Sequence, residues 1–215
     1  LFDLSHMGEV RVSGPDAGTF LNTALVGNLA VIAVGRAKYS LLCTPEGGIV
    51  DDLITYRLAE EEFLVVPNAG NTATVAAALR ERAAGFDVVV ADESAGTSLV
   101  AVQGPAAEAI LLGLVPDGQH EAVTGLKYYA AGTVTVAGTP VLLARTGYTG
   151  EDGFELYVPN AQAVPLWDAL LAAGREHGLV PCGLASRDSL RLEAGMPLYG
   201  QELGLEVTPF EAGLG

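Results

Sequence analysis

Basic residues, cysteine and long apolar runs are all scarce in this sequence, and each scarcity excludes a class of protein. Eleven Lys and Arg residues oppose 26 Asp and Glu residues, and the net charge of −15 has the wrong sign for binding a phosphate backbone or an anionic membrane. Apolar runs such as 29–34 and 109–115 are far shorter than the roughly 18 residues that a membrane-spanning helix requires. We therefore expect a soluble protein that binds neither nucleic acid nor membranes.

The two cysteines and three histidines give no sign of a disulfide framework or a metal site. Cys43 and Cys182 lack C-x-x-C spacing, and we expect both to be reduced in a cytosol-like compartment. His6, His120 and His177 lack metal-ligand spacing, and we expect no metal. Because no secretory signal opens the sequence, we expect a cytoplasmic location, or the mitochondrial matrix for a eukaryotic source.

Composition and periodicity predict a folded protein built from many short elements. Hydrophobic residues make up 50% of the 215 residues and charged residues only 17%, which excludes intrinsic disorder. The 27 glycines and 11 prolines predict many tight turns. Strands are predicted at 9–13, 37–43, 49–58, 62–66, 86–91, 97–102, 127–136, 140–145 and 154–158. Helices are predicted at about 15–25, 68–84, 106–112, 160–177 and 183–193, with Asn68 or Asn71 as the N-cap of the second. Hairpins mixed with crossover helices indicate an α+β fold with largely antiparallel sheets, without a strict sequence repeat.

An acidic pair in the third predicted strand is the first candidate for chemistry. Alternation places Asp52 on one face with Val50 and Ile54, and Asp51 on the opposite face. A carboxylate on the more apolar face is poorly solvated unless it is paired or acts on a ligand, and this favours Asp52 as the functional residue. Decoration of a strand after a turn is an equally good interpretation of the pair, and it suits Asp51 better.

Two later segments could contribute to a binding site. The glycine-rich stretch 145–155 forms a loop whose backbone can approach a flat ligand, and alternation beyond it turns Glu155 away from the core. A glycine-rich hairpin with solvated acids is the structural alternative. On the last predicted helix, Arg187 and Arg191 are one turn apart and could meet an anionic ligand, or they could form internal salt bridges.

Five motifs in order resemble the aminomethyltransferase family, the T-proteins of the glycine cleavage system, also called the GcvT family. The motifs are Asp3–Gly8, Gly47–Leu53, Arg145–Glu155, Ala185–Met196 and Thr208–Gly215. The resemblance implies a tetrahydrofolate-binding enzyme that takes an aminomethyl group from the lipoyl arm of H-protein, releases ammonia and forms 5,10-methylenetetrahydrofolate. It also implies that residues 1–215 are one folate-binding domain of two intertwined α+β subdomains, incomplete at the N-terminus and without the family's C-terminal barrel.

The resemblance also assigns roles to individual residues. Asp52 matches the catalytic aspartate, which would stabilise the positive charge that develops as ammonia leaves. Glu155 matches the carboxylate that reads the pterin, whose amino group and ring N–H can both donate to it. The positions that match folate contacts are Met7, Tyr39, Asn68, Tyr148 and Arg187, together with Glu155. The expected partners are lipoylated H-protein and the folate itself.

Two other proteins of this fold are alternatives. A non-catalytic folate-binding protein of the iron-sulfur assembly type carries a Cys-containing segment, and 196–202 keeps only its Gly-Gln-Glu. A folate-dependent demethylase would share the fold and the pocket, although 147–155 favours the glycine-cleavage enzyme.

Overall fold

The computed structural model describes residues 1–214, so Gly215 at the end of the fifth motif lies outside it. The chain divides into two compact units, each made of two separate segments. Unit I comprises Leu1–His6 and Gly96–Met196. Unit II comprises Met7–Ala95 and the residues from Pro197 onward.

Ten strands and six α-helices are present in the part of the chain that the structure describes. The strands are β1 (Phe2–Asp3), β2 (Val10–Ser13), β3 (Ala37–Cys43), β4 (Ile49–Ala59), β5 (Glu62–Pro67), β6 (Val89–Asp92), β7 (Thr97–Gln103), β8 (Ala131–Val136), β9 (Thr139–Ala144) and β10 (Gly153–Pro159). The helices are α1 (Ala17–Ala24), α2 (Thr72–Arg82), α3 (Ala107–Leu112), α4 (His120–Thr124), α5 (Asn160–Gly174) and α6 (Leu184–Glu193).

Unit II is an antiparallel sheet with the strand order β3-β4-β5-β2-β6. Its core lies between the sheet and helices α1 and α2, because apolar side chains on alternate strand positions meet the apolar positions of both helices. Val12, Phe20, Phe63 and Leu79 are fully buried there. The sheet thus fixes the position of β4, which carries the acidic pair.

Unit I is a second antiparallel sheet, with the order β1-β7-β10-β9-β8. Phe154 and Leu156 of β10 point into its core with Leu111 of α3 and Leu170 of α5. Glu155 lies between them in sequence, on the other face of the strand.

The two sheets share one order of connections. In unit II, β2 leads through α1 to β3, β4, β5 and α2, and in unit I, β7 leads through α3 and α4 to β8, β9, β10 and α5. The strand orders β3-β4-β5-β2 and β8-β9-β10-β7 correspond. The sequence pattern V-x-V-x-G-P occurs at both 10–15 and 100–105. The structure therefore contains a repeated topology, although the sequence has no strict repeat.

The predicted α+β class with antiparallel sheets is confirmed. Strand β3 has the predicted bounds, whereas β1 and helix α4 were not predicted. Strand β1 has only two residues and pairs with β7 far along the chain, which leaves no local periodicity to recognise. Cys43 and Cys182 are free thiols, as expected. Within residues 1–214, no helix has both the length and the apolar character needed to cross a membrane.

Candidate functional site

Strand β4 carries the acidic pair with the burial opposite to that predicted. Asp51 is fully buried, together with Ile49 and Leu53 on its face, whereas Asp52 is half-buried. The prediction that Asp52 occupies the less solvated face is therefore wrong. The prediction failed because it took the polar residue Thr55 as a sign that the Asp51 face is solvated. Thr55 is fully buried.

Asp51 is held by three N–H donors from the segment that follows β5. Its Oδ2 accepts from the Asn68 backbone N–H at 3.0 Å, and its Oδ1 accepts from Asn68 Nδ2 at 3.0 Å and Asn71 Nδ2 at 2.7 Å. Burial raises the pKa of Asp51 to about 6. The hydrogen bonds from Asn71 and Asn68 lower this pKa, and the charge of Asp52 raises it further.

Asp52 is held from both sides by two of the residues predicted to contact folate. The Tyr39 hydroxyl donates to Asp52 Oδ2 at 3.0 Å, and Asn68 Nδ2 donates to Asp52 Oδ1 at 2.8 Å. Two donors on two different oxygens fix the plane of a carboxylate. Asp52 is therefore an oriented carboxylate on the more open face of β4.

Asn71 occupies the N-cap position of helix α2, one of the two predicted alternatives, but no side-chain hydrogen bond forms the cap. The helix begins at Thr72 after a 3-10 turn, Ala69–Asn71, and neither asparagine side chain caps it. Both side chains instead donate to Asp51. An N-cap and a carboxylate-binding amide use the same residue type, so the sequence pattern does not separate them. Asn71 is a site residue that sequence reasoning missed.

Met7, the fourth predicted residue in unit II, opens that unit and is half-buried. The N–H of the next residue, Gly8, donates to the Pro67 carbonyl at 3.2 Å. Pro67 ends β5 and directly precedes Asn68. Backbone pairing thus brings the Met7 segment beside the segment that holds Asp51 and Asp52.

The remaining three predicted residues meet in unit I. Tyr148, Glu155 and Arg187 line one small cleft, whose other walls include Phe2 and Leu4. The Arg187 guanidinium lies 4.4 Å from the centre of the Tyr148 ring. Glu155 is only 8% exposed. The cleft therefore combines a buried carboxylate, an aromatic ring, a cation and apolar walls.

Glu155 receives its position from β10 and from the loop before it. It pairs with Ala101 of β7 and Ala144 of β9, and Thr146 Oγ1 donates to its Oε2. The pKa of Tyr128 is raised, first by the burial of Tyr128 and second by the negative charge of Glu155. Tyr128 is 59% exposed and was not predicted as a site residue, because it lies outside every recognised motif.

The glycines of 145–155 have a structural reason other than the predicted approach of a ligand. A Cβ at Gly147 or Gly153 would lie 2.0 Å or 2.4 Å from the Gln103 side chain. Gln103 Nε2 donates to the Thr146 carbonyl at 3.1 Å, and its Oε1 accepts from Thr149 Oγ1 at 3.1 Å. Gln103 thus organises the loop from inside, and it is another residue that sequence reasoning missed.

The two arginines of α6 differ in role. Arg191 is 3% exposed, pairs with Asp188 at 2.9 Å and donates to the Met196 carbonyl at 3.1 Å. This is the internal salt bridge that the sequence left open. Arg187 instead lines the cleft. The pKa of His6 is lowered, first by burial and second by the positive charge of Arg187.

Comparisons with known proteins agree with these motifs. The sequence profile of the GCVT N-terminal domain family matches residues 1–215. The chain belongs to the GCVT N-terminal domain family. Its relatives include a protein of Corynebacterium aurimucosum named aminomethyltransferase, 60% identical over 214 residues that cover 100% of this chain and 58% of the relative. The resemblance drawn from the five motifs is thus confirmed at the level of the family.

Two solved structures share the fold of this chain, and the first of them supports the same family. The chain is similar to the glycine cleavage system aminomethyltransferase T from Bartonella henselae, with a TM-score of 0.87 and 40% identity over 99% of this chain and 55% of that one. A heterotetrameric sarcosine oxidase from Corynebacterium sp. U-96 shares the fold alone, with a TM-score of 0.59 and 21% identity over 83% of this chain and 84% of that one. The chain spans less than three fifths of the aminomethyltransferases that it matches.

Proposed function

We propose that this chain is the folate-binding domain, residues 1–215, of an aminomethyltransferase of the glycine cleavage system. In the proposed reaction, an aminomethyl group passes from the lipoyl sulfur of H-protein to tetrahydrofolate, and ammonia is released. The names of the relatives support this proposal, and the observation that carries it is the Asp52 carboxylate, oriented by Tyr39 and Asn68.

The flat, hydrogen-bonding end of the folate would bind at the unit I cleft, where Glu155, Tyr148 and Arg187 meet. The Glu155 carboxylate can accept from the pterin amino group and from the neighbouring ring N–H, which matches two donors with two acceptors. The Tyr148 ring offers a face for the heterocycle, and Arg187 above it supplies a cation for an anionic part of the ligand. We propose Met7 as a further contact, because a thioether adapts to flat rings.

Asp52 would act on the carbon that is transferred. The C–S bond to the lipoyl arm and the C–N bond to ammonia break, and two C–N bonds to folate nitrogens form. The two protons that leave the folate nitrogens are taken up by the lipoyl sulfur and by ammonia. Positive charge develops on the carbon as ammonia leaves, and a fixed carboxylate nearby stabilises it without reorganising.

The test supplies H-protein loaded with the aminomethyl group, and tetrahydrofolate, to the complete gene product that carries these residues. We expect stoichiometric ammonia and 5,10-methylenetetrahydrofolate. Product formed from an N-methylated amine and not from loaded H-protein would establish the demethylase alternative instead. Folate binding without turnover of either donor would identify a binding protein.

The proposal includes a cytoplasmic location, which is supported by the bacterial sources of the aminomethyltransferase relatives. Expression of a tagged gene product in a bacterial relative, followed by fractionation, tests this location.

A further inference from the structure

Asp51 has no role in the proposed reaction, although its carboxylate is the more buried of the pair. Three N–H groups donate to it, and two of them belong to Asn68, one from the backbone and one from the side chain. Asn71 is itself anchored, since its Nδ2 also donates to the Val50 carbonyl at 3.1 Å. Asp51 therefore binds both the backbone and the side chain of Asn68, on the buried face of β4.

These hydrogen bonds determine the orientation of the Asn68 side-chain amide. An ionised carboxylate only accepts hydrogen bonds, so the NH₂ end of the amide must face Asp51. The two hydrogens of the same Nδ2 are shared among three acceptors, since it also donates to Asp52 Oδ1 at 2.8 Å and to the Asp52 carbonyl at 3.0 Å. A flipped amide would place its oxygen against both carboxylates, which is electrostatically unfavourable.

We propose that Asp51 is a positioning residue, which fixes the Asn68 amide and through it the carboxylate of Asp52. The inference rests on the proposed function, because it assigns Asp51 to the site in which Asp52 acts. A residue behind a catalytic group can hold that group in place when hydrogen bonds fix the residue itself. Asp51 is locked in this way by the amides of Asn68 and Asn71.

The test is a double-mutant cycle in the complete gene product, with Asp51→Asn, Asn68→Ala and the two combined. Asp51→Asn should lower kcat by about tenfold while the KM for tetrahydrofolate changes less than about threefold. If Asp51 acts through Asn68, adding Asp51→Asn to Asn68→Ala should lower kcat by less than about twofold. Equal losses in both backgrounds would overturn the inference.

A loss of activity through misfolding is distinguished from a loss through poor positioning by measuring the concentration of intact folate-binding sites. Rates are divided by the concentration of folate-binding sites from calorimetry, and a normal kcat per site in Asp51→Asn would leave Asp51 a purely structural residue. If Asp51→Asn does not fold, Asp51→Asn/Asn71→Asp replaces it in the cycle, because it keeps one carboxylate and one amide at these positions. Glu46→Gln, an exposed site in the β3–β4 loop, is the matched control and should leave kcat unchanged.

A readout without turnover keeps this inference distinct from the proposed function. In proton–nitrogen NMR spectra, the side-chain amide signals of Asn68 should shift and exchange faster in Asp51→Asn, or in its replacement. The amide of Asn22, which donates to Asn28 Oδ1, serves as the internal control. Inactivity of the wild-type protein would refute the proposed function alone, whereas unchanged Asn68 signals would refute the role of Asp51.

Discussion

The guanidinium carbon of Arg187 lies 4.4 Å from the centre of the Tyr148 ring. This stack joins α6 to the loop before β10 and places a cation at the cleft that also contains Glu155. A planar guanidinium can stack on an aromatic face in a way that an ammonium cannot reproduce. The arrangement predicts that both members of the pair matter for ligand affinity.

Tyr148→Leu should weaken tetrahydrofolate binding more than Tyr148→Phe does, because only phenylalanine keeps the ring that Arg187 covers. The difference between the two variants should be about 0.5–1 kcal/mol, the typical strength of an exposed cation–π pair. Isothermal calorimetry measures both affinities. Equal affinities for the two variants would show that the ring makes no contribution to binding.

Glu155→Gln should weaken tetrahydrofolate binding by about 1–3 kcal/mol, since an amide cannot accept from two donors as a carboxylate does. The matched control is Glu151→Gln, which changes an exposed acid in the preceding loop and should leave the affinity unchanged. Calorimetry again supplies the measurement. An unaltered affinity in Glu155→Gln would show that the Glu155 carboxylate does not bind the pterin.

Glu9 predicts a pH dependence of stability that is separate from the site. Glu9 is 1% exposed, and within residues 1–214 neither of its carboxyl oxygens has a hydrogen-bond partner. Burial first, and then the charges of Asp92 and Glu93, raise the pKa of Glu9 to about 8 from its usual 4.5. The folded state therefore binds more protons than the unfolded state between these values, and stability falls as the pH rises through this range.

Glu9→Gln should remove this contribution, because glutamine stays neutral at every pH. The variant should gain stability relative to the wild type from about pH 4.5 upward, reaching about 2–4 kcal/mol above pH 8. Urea unfolding at pH 4, 6 and 9 measures the difference, with Glu46→Gln as the exposed control. A difference that is constant across these pH values would contradict the assignment.

If H-protein is the partner, as proposed, the net charge of −15 predicts how its affinity responds to salt. If H-protein presents basic groups, its affinity should fall as ionic strength rises from about 0.05 to 0.3 M, because screening shortens the range of attraction. Calorimetry across this range tests the expectation. An affinity independent of salt would remove electrostatic attraction from the docking step and leave the catalytic assignment unchanged.

The fold class was predictable from sequence because hairpins and amphipathic helices leave local periodicity, as the agreement for β3 illustrates. The face of the acidic pair was not predictable in the same way. Polar composition suggested that the Asp51 face was solvated, yet Thr55 is fully buried on it. Arg57 donates to the carbonyls of Ala30 and Ile32, contacts that arise only in the folded chain.

The partners of the two aspartates were equally hidden from local patterns. Asn68 and Asn71 follow β5 and precede α2, where capping is the commonest role for asparagine. Their amides reach Asp51 only because β4 and β5 pair in the sheet, with Leu53 opposite Pro67. Gln103 is placed beside the 145–152 loop in the same way, by the pairing of β7 with β10.

The central claim is that the charge of Asp52 acts on the transferred carbon, and Asp52→Asn in the complete gene product tests it most directly. Asparagine keeps the shape of the side chain and removes the charge. We predict that the formation of 5,10-methylenetetrahydrofolate falls by about 10²-fold or more, while the dissociation constant for tetrahydrofolate changes less than about threefold. Turnover close to that of the wild type would contradict the account.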